Sequence, residues 1–249
     1  MWSPPGRRLV ALTLIVAGAS GVLYAQVRQD VHQNKADLAA AAVRLRGEVP
    51  GVQPVLGTKG WAKVSAKWGS PVINVCWEAM APEHASARAW VADAVNGAWP
   101  KSSAVRFVGW GACVSGASGI HIAEGNYVAL TIGLGKEVNQ VKNGLRLNFT
   151  FQEWNQWCAR DEATRQKCIR ANAVHEFGHA LGFVHEHNRH DRPDSCTEVP
   201  DTSAGEEILT PWDPESVMNY CNTNRMLAAG RLSDGDKHSV AALYPGRPL

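Results

Sequence analysis

The stretch AVHEFGHALGFVHEHNRHDR, residues 173–192, carries five of the nine histidines in a chain of 249 residues. His175 and His179 are four positions apart, so on a helix turning about 100° per residue they share a face, where both imidazoles can reach one ion. Gly182 ends such a helix and lets the chain reverse, bringing His185 back as a third ligand from outside it. Three nitrogens on Zn²⁺ leave a fourth position for water, the pattern of a catalytic rather than a structural site. Glu176, next to the first ligand, projects beside the ligand face and suits a general base. Zinc lowers the pKa of bound water to about 7, within reach of a carboxylate acceptor, and the reaction implied is amide hydrolysis.

A lone HExxH arises often by coincidence on helix surfaces. All five fixed positions of HExxHxxGxxH match by chance on the order of once in 10⁴ such chains. Three histidines already fill a catalytic site, so His187 and His190 are surplus and expected to be solvated at the surface.

These residues need elements to hold them. Asp161 is a cap for a helix running to about Leu181, with Gly182 as its left-handed terminator. Upstream, PVINVCW (71–77) reads as a strand, and ASARAWVADAVNGAW (85–99) as a helix with Trp90, Val91, Ala94, Val95 and Trp99 on one face, stopped by Pro100. VRFVGW (105–110), GIHIA (119–123) and YVALTIG (127–133) are β-rich runs between Gly, Ser and Asn turns. LRLNFTF (145–151) alternates: Leu145, Leu147, Phe149 and Phe151 face one way, and Arg146, Asn148 and Thr150 the other, as in a half-buried strand. The glycosylation sequon at Asn148 therefore lies inside a strand and is disregarded.

The ends of the chain read differently. Arg7 and Arg8 precede an apolar run, Leu9–Val16, and small residues through Ala25, the pattern of a secretory signal over 1–25. The run is too short to span a bilayer, so no stable membrane insertion is expected once it is removed. Residues 26–60 are polar and alanine-rich, a leader or pro-segment with a short helix over 37–49, and 61–249 reads as one domain. The formal charge of +2 comes from Arg7 and Arg8. Without them there is no basic field to attract nucleic acid. Six cysteines downstream of an export signal favour disulfides. Fifteen pairings are open; Cys76–Cys113, Cys158–Cys168 and Cys196–Cys221 are favoured because each closes a short loop between neighbouring elements.

Thirty-three residues beyond His185, SVMNY (216–220) supplies Met218, and HExxHxxGxxH followed by such a Met-turn resembles the metzincin zinc peptidases. HEFGHALGFVHEHNRHDR most resembles the astacin family, continuing past the third histidine with Glu186, Arg189, Asp191 and Arg192. The resemblance implies an α+β, two-lobed zinc protease domain: a twisted mixed five-stranded sheet, an active-site helix, the Met-turn and a closing helix. RLSDGDKHSVAALYPG (231–246) is similar to that closing helix, with Ser233 and Asp236 at capping-box spacing. The resemblance further implies that Met218 packs beneath the metal without ligating it, and that the Tyr220 hydroxyl stabilises the oxyanion. It also implies that Tyr127 to Gly133 is an antiparallel edge that binds an extended peptide by strand addition. Asn219 stands where astacins usually have histidine, the cysteine spacing is not theirs, and the leader holds no clear F-x-G-D motif.

The reading is a secreted zinc endopeptidase with one catalytic Zn²⁺, His175, His179 and His185 as ligands, Glu176 as base and Tyr220 as helper. The alternative is an exported binding or adhesion module whose zinc is not catalytic. Arg225 could favour an acidic substrate side chain, although a loop arginine is more often simply solvated.

Overall fold

In the computed structural model, residues 60–201 and 205–246 are described, all within the unit Leu56–Leu249. The signal segment, the leader up to residue 59 and its short helix lie outside the described residues. Among the described residues, seven strands and four α-helices occur in chain order: β1 (Gly60–Ala62), β2 (Val72–Trp77), α1 (Ala85–Ala98), β3 (Arg106–Ala112), β4 (Ile120–Gly125), β5 (Leu130–Thr131), β6 (Leu145–Asn148), α2 (Gln156–Ala159), α3 (Glu162–Leu181), β7 (Glu207–Leu209) and α4 (Asp234–Leu243). Among the described residues, no helix is long and apolar enough to cross a membrane.

The mixed sheet has the order β3-β2-β4-β6-β5. Its first four strands pair in parallel, and β5 lies antiparallel to β6 at the edge. Ile73, Val75, Trp77, Ile120, Ile122, Leu145 and Leu147 are buried in the core with Val91, Ala94 and Val95 of α1. Because side chains alternate along a strand, one face of β2 is left to carry Asn74 and Cys76. Helix α3 packs against α1, β5 and β6, and this placement lays the zinc-motif helix along the sheet edge.

Two strand readings need correction. Tyr127–Gly133 is not one strand, since only Leu130–Thr131 pairs with β6. The Tyr127 carbonyl is taken by Asn148 Nδ2 at 2.6 Å, and Gly133 turns away at φ 96°. Asn148 itself is buried rather than outward-facing: its Oδ1 accepts the N–H groups of Thr150 and Phe151 at 3.0 and 2.6 Å, closing the turn that ends β6. Polar capacity satisfied internally explains a buried asparagine at a position the alternation assigns to solvent.

The sequence pattern does not reveal β1, β7 or α2, because runs of three or four residues carry too little periodicity. Yet β1 and β7 matter: they pair antiparallel, and Trp61 O accepts from Val184 N at 3.1 Å. Together with the Ala62–Phe183 bridge, this fixes the path of the chain as it leaves α3. Three disulfides tie the fold: Cys76–Cys113 joins β2 to the loop after β3, Cys158–Cys168 joins α2 to α3, and Cys196–Cys221 joins the loop after the histidine segment to the Met-turn.

Candidate metal centre

Helix α3 starts where Asp161 accepts from Thr164 N at 2.7 Å and ends where Gly182 takes φ 107°, a conformation open to glycine at low cost. From Ala171 to Leu181 every residue is buried, so the helix delivers His175, Glu176 and His179 below the surface of the fold. His175 Nδ1 lies 2.7 Å from the Val217 carbonyl, and His179 Nδ1 lies 2.8 Å from the Phe183 carbonyl. A carbonyl can only accept, so each Nδ1 carries the proton and each Nε2 presents its lone pair.

His185 arrives from outside the helix, three residues past Gly182. Its Nδ1 donates to the Asp201 carboxylate, and its Nε2 lies 3.1 Å from the Nε2 of both His175 and His179. Burial lowers the His185 pKa and keeps that ring neutral too, so three ring nitrogens converge with no proton left to bridge them. Such lone pairs repel at 3.1 Å unless a cation lies between them, and a tetrahedral ion held at about 2.0–2.1 Å would separate its nitrogens by about 3.3 Å. The donor set therefore fits a zinc-type ion. Burial, then neighbouring imidazoles, pushes His179 down to about 3 and His175 well below the usual imidazole range, so both rings stay neutral, as ligation requires.

Glu176 is buried, and the Thr131 hydroxyl lies 2.8 Å from its Oε2 and 3.0 Å from its backbone oxygen, one proton offered to two acceptors. Burial pushes its carboxyl up to about 7, against the pull of that hydrogen bond. A bound cation acts in the opposite direction, favouring the carboxylate.

Two residues read as solvated surface groups, His187 and Arg225, instead pack on Tyr220. His187 is 2% exposed: its ring stacks on Tyr220 at 4.8 Å and on His185 at 4.8 Å, and its Nδ1 accepts from Tyr220 N at 3.4 Å. His190 is exposed. Arg225 places its guanidinium 5.0 Å above the Tyr220 ring, a cation–π contact instead of free solvation. Tyr220 also stacks on His175 at 5.3 Å, and burial pushes its phenol up to about 12, so the hydroxyl keeps its proton.

The irregular segment that carries these groups is held by buried polar side chains. Asp236 of α4 accepts from Ser216 Oγ at 2.7 Å, Val217 N at 3.0 Å and Ser233 N at 3.0 Å. Ser216 Oγ in turn accepts from Met218 N at 3.0 Å, and the Met218 carbonyl accepts from Glu186 N at 2.9 Å, linking the turn back to the residue after His185. Asn219 is fully buried and bridges Asp213 O and Cys221 N within the turn. Met218 packs against Gly178 of α3, where a β-carbon would collide with its sulfur and come within 3.0 Å of Trp99. A glycine between the two helical histidines is thus what lets the Met-turn close beneath them.

Cys76, Cys113 and His121 also lie close enough to share an ion. There, however, the sulfurs are bonded to each other, and both His121 nitrogens already face acceptors, Glu78 Oε1 and Ala117 O, each at 2.8 Å.

The model of the Astacin peptidase family matches residues 163–229, from the start of α3 through the Met-turn. No curated protein matches the sequence. Among solved structures, that of myroilysin is similar in fold, with a TM-score of 0.54 at 18% identity, covering 76% of this chain and 100% of its own. High choriolytic enzyme 1, a hatching-enzyme zinc protease from the medaka fish Oryzias latipes, gives a TM-score of 0.46 at 18% identity, covering 77% of this chain and 100% of its own.

Proposed function

We propose that this chain is an astacin-like metzincin, a zinc metalloendopeptidase that is secreted and cleaves peptide bonds with His175, His179 and His185 as zinc ligands, Glu176 as general base and Tyr220 as oxyanion donor. The observation that carries the reading is the convergence of three unprotonated Nε2 atoms beside a buried glutamate.

Zinc, when bound, supplies Lewis acidity, polarising the scissile carbonyl and acidifying water. Glu176 takes the proton of the attacking water on its carboxylate as the carbon–oxygen bond forms, then returns it to the departing amine nitrogen as the carbon–nitrogen bond breaks. Thr131 holds Oε2 of that carboxylate and so sets its orientation. The Tyr220 hydroxyl, which keeps its proton, donates to the carbonyl oxygen as charge develops there. An extended peptide lies along the short edge at β5, which has no partner on its outer side among the described residues, and where Leu130 and Ile132 are exposed on either side of Thr131, the residue that holds Glu176. Export is supported by the three disulfides and by the lack of free cysteines among the described residues.

The Glu176→Gln variant should keep one zinc per chain and lose at least about 10³-fold in turnover, a loss in the range expected when an essential proton acceptor is removed. Mature wild type that holds one zinc yet cleaves neither denatured protein nor a broad peptide library overturns the peptidase assignment. Chelation by o-phenanthroline separates it from a binding module: the enzyme loses proteolysis and regains it with zinc, whereas a module loses folding with no prior activity.

A further inference from the structure

The three histidines are not held alike. His175 and His179 each give their Nδ1 proton to a backbone carbonyl, a neutral acceptor fixed by the fold. His185, the one that no helix positions, gives its proton to a carboxylate, Asp201, 16 residues further along. A hydrogen bond to an ionised acceptor is roughly twice as strong as one to a neutral group and increases the basicity of the opposite ring nitrogen.

The carboxylate is itself held in place. Asn188 Nδ2 donates to Asp201 Oδ1 at 2.6 Å, and Asp201 N donates back to Asn188 Oδ1 at 3.0 Å. The loop between them is pinned by Arg192 Nη1, which donates to the carbonyls of His187 and Glu198 at 2.6 Å each, and by Cys196–Cys221, which ties it to the residue after Tyr220. A reciprocal side-chain clasp, an arginine strap and a disulfide all bring one loop carboxylate to one imidazole.

We propose that Asp201 is a positioning residue of the metal centre: it fixes the His185 tautomer and ring plane, turns Nε2 toward the other two histidines, and tightens zinc binding by supplying a negative charge at Nδ1. This rests on the reading of the three histidines as zinc ligands. Asp201 does not touch substrate; it acts through His185.

The test measures the zinc dissociation constant of the full mature protein by competition with a chromophoric chelator, with no activity readout. Asp201→Ala should bind zinc about 10–100-fold more weakly, the range for loss of such an outer partner, and the isosteric Asp201→Asn less so. Glu153→Gln removes an exposed acidic charge outside the loop that carries Asp201, and should bind like wild type. Cobalt-substituted Asp201→Asn should show altered d–d bands, which a purely structural loop residue would not produce. Wild-type affinity and wild-type cobalt spectra in Asp201→Asn, or equal weakening in Glu153→Gln, overturn the proposal. If wild type itself takes up no stoichiometric zinc, the ligand reading fails instead, so the two failures are distinguishable. Should Asp201→Ala not fold, Asp201→Asn decides the matter alone.

Discussion

Two regions meet at the candidate metal centre and reach it by opposite means. Residues 162–181 form one long helix that delivers His175, Glu176 and His179 through backbone periodicity alone. The described residues of 183–201 and 205–233 deliver His185, Met218 and Tyr220 with little regular structure, and are ordered by polar side chains: Asp236 on the Met-turn, Asn219 within it, and Asp201 on His185. In the helix, the hydrogen bonds that maintain shape are local and redundant. In the loop region short local turns are tied to the rest of the site by a few long-range side-chain bonds, such as Asp236 to Val217 and Asp201 to His185. The loop region should therefore fail at individual residues, while the helix region tolerates loss at its margins.

Removing an aspartate that caps a helix puts this contrast at its widest. Asp161 and Asp236 both cap helices, but Asp161 is half exposed and Asp236 is buried with three donors to satisfy. Asp236→Ala should cost about 3–5 kcal/mol in denaturant unfolding, since it orphans buried donors of the Met-turn as well as a helix end. Asp161→Ala should move the midpoint far less. Equal costs would break the comparison.

Disulfide removal comes next. By loop closure, Cys196–Cys221 at a separation of 25 and Cys158–Cys168 at 10 stabilise by about 3–4 and about 3 kcal/mol respectively. The stability losses should be similar, but only the Cys196→Ala/Cys221→Ala double variant should weaken zinc binding, because that bridge lies in the loop region. Zinc affinity that falls equally in Cys158→Ala/Cys168→Ala would show that the helix depends on its bridge as much as the loops do.

The smallest effect lies where sheet and helix touch. The proposed base, Glu176, acts as a carboxylate, so activity should fall as pH drops through its pKa, which burial places at about 7 and bound zinc would lower. Thr131→Val removes a hydrogen bond that favours the ionised form. The acid limb of kcat/KM should then move to higher pH, with about a tenfold loss of rate on that limb for each pH interval of one that it moves and little change well above it. An unmoved limb would mean that Thr131 does not set the proton affinity of this carboxylate.

Much of the helix region is legible in the sequence because its signals are local. Asp161, the apolar spacing and Gly182 bound α3 without reference to the rest of the chain, and Ser233 with Asp236 bound α4 in the same way. The parallel core strands are legible as short apolar runs, whereas the pattern over-extends β5 because a distant side chain, Asn148, claims the carbonyl that a longer strand would use. A loop carries no periodic signal that separates His187 and Arg225 from solvated residues, and both pack on Tyr220. Asp201 has no sequence signal at all: an aspartate 16 residues past a histidine is ordinary until the chain folds back.

The sequence by itself determined which residue types could do the chemistry, that two histidines and a glutamate share one stretch of helix, and where that helix begins and ends, because these depend on contacts within a few residues. Only the tertiary structure decided how the third imidazole is aimed, what lies beneath it and what charge stands behind it. Those depend on groups far apart in the chain, brought together by burial and by donors that must find acceptors once water is gone.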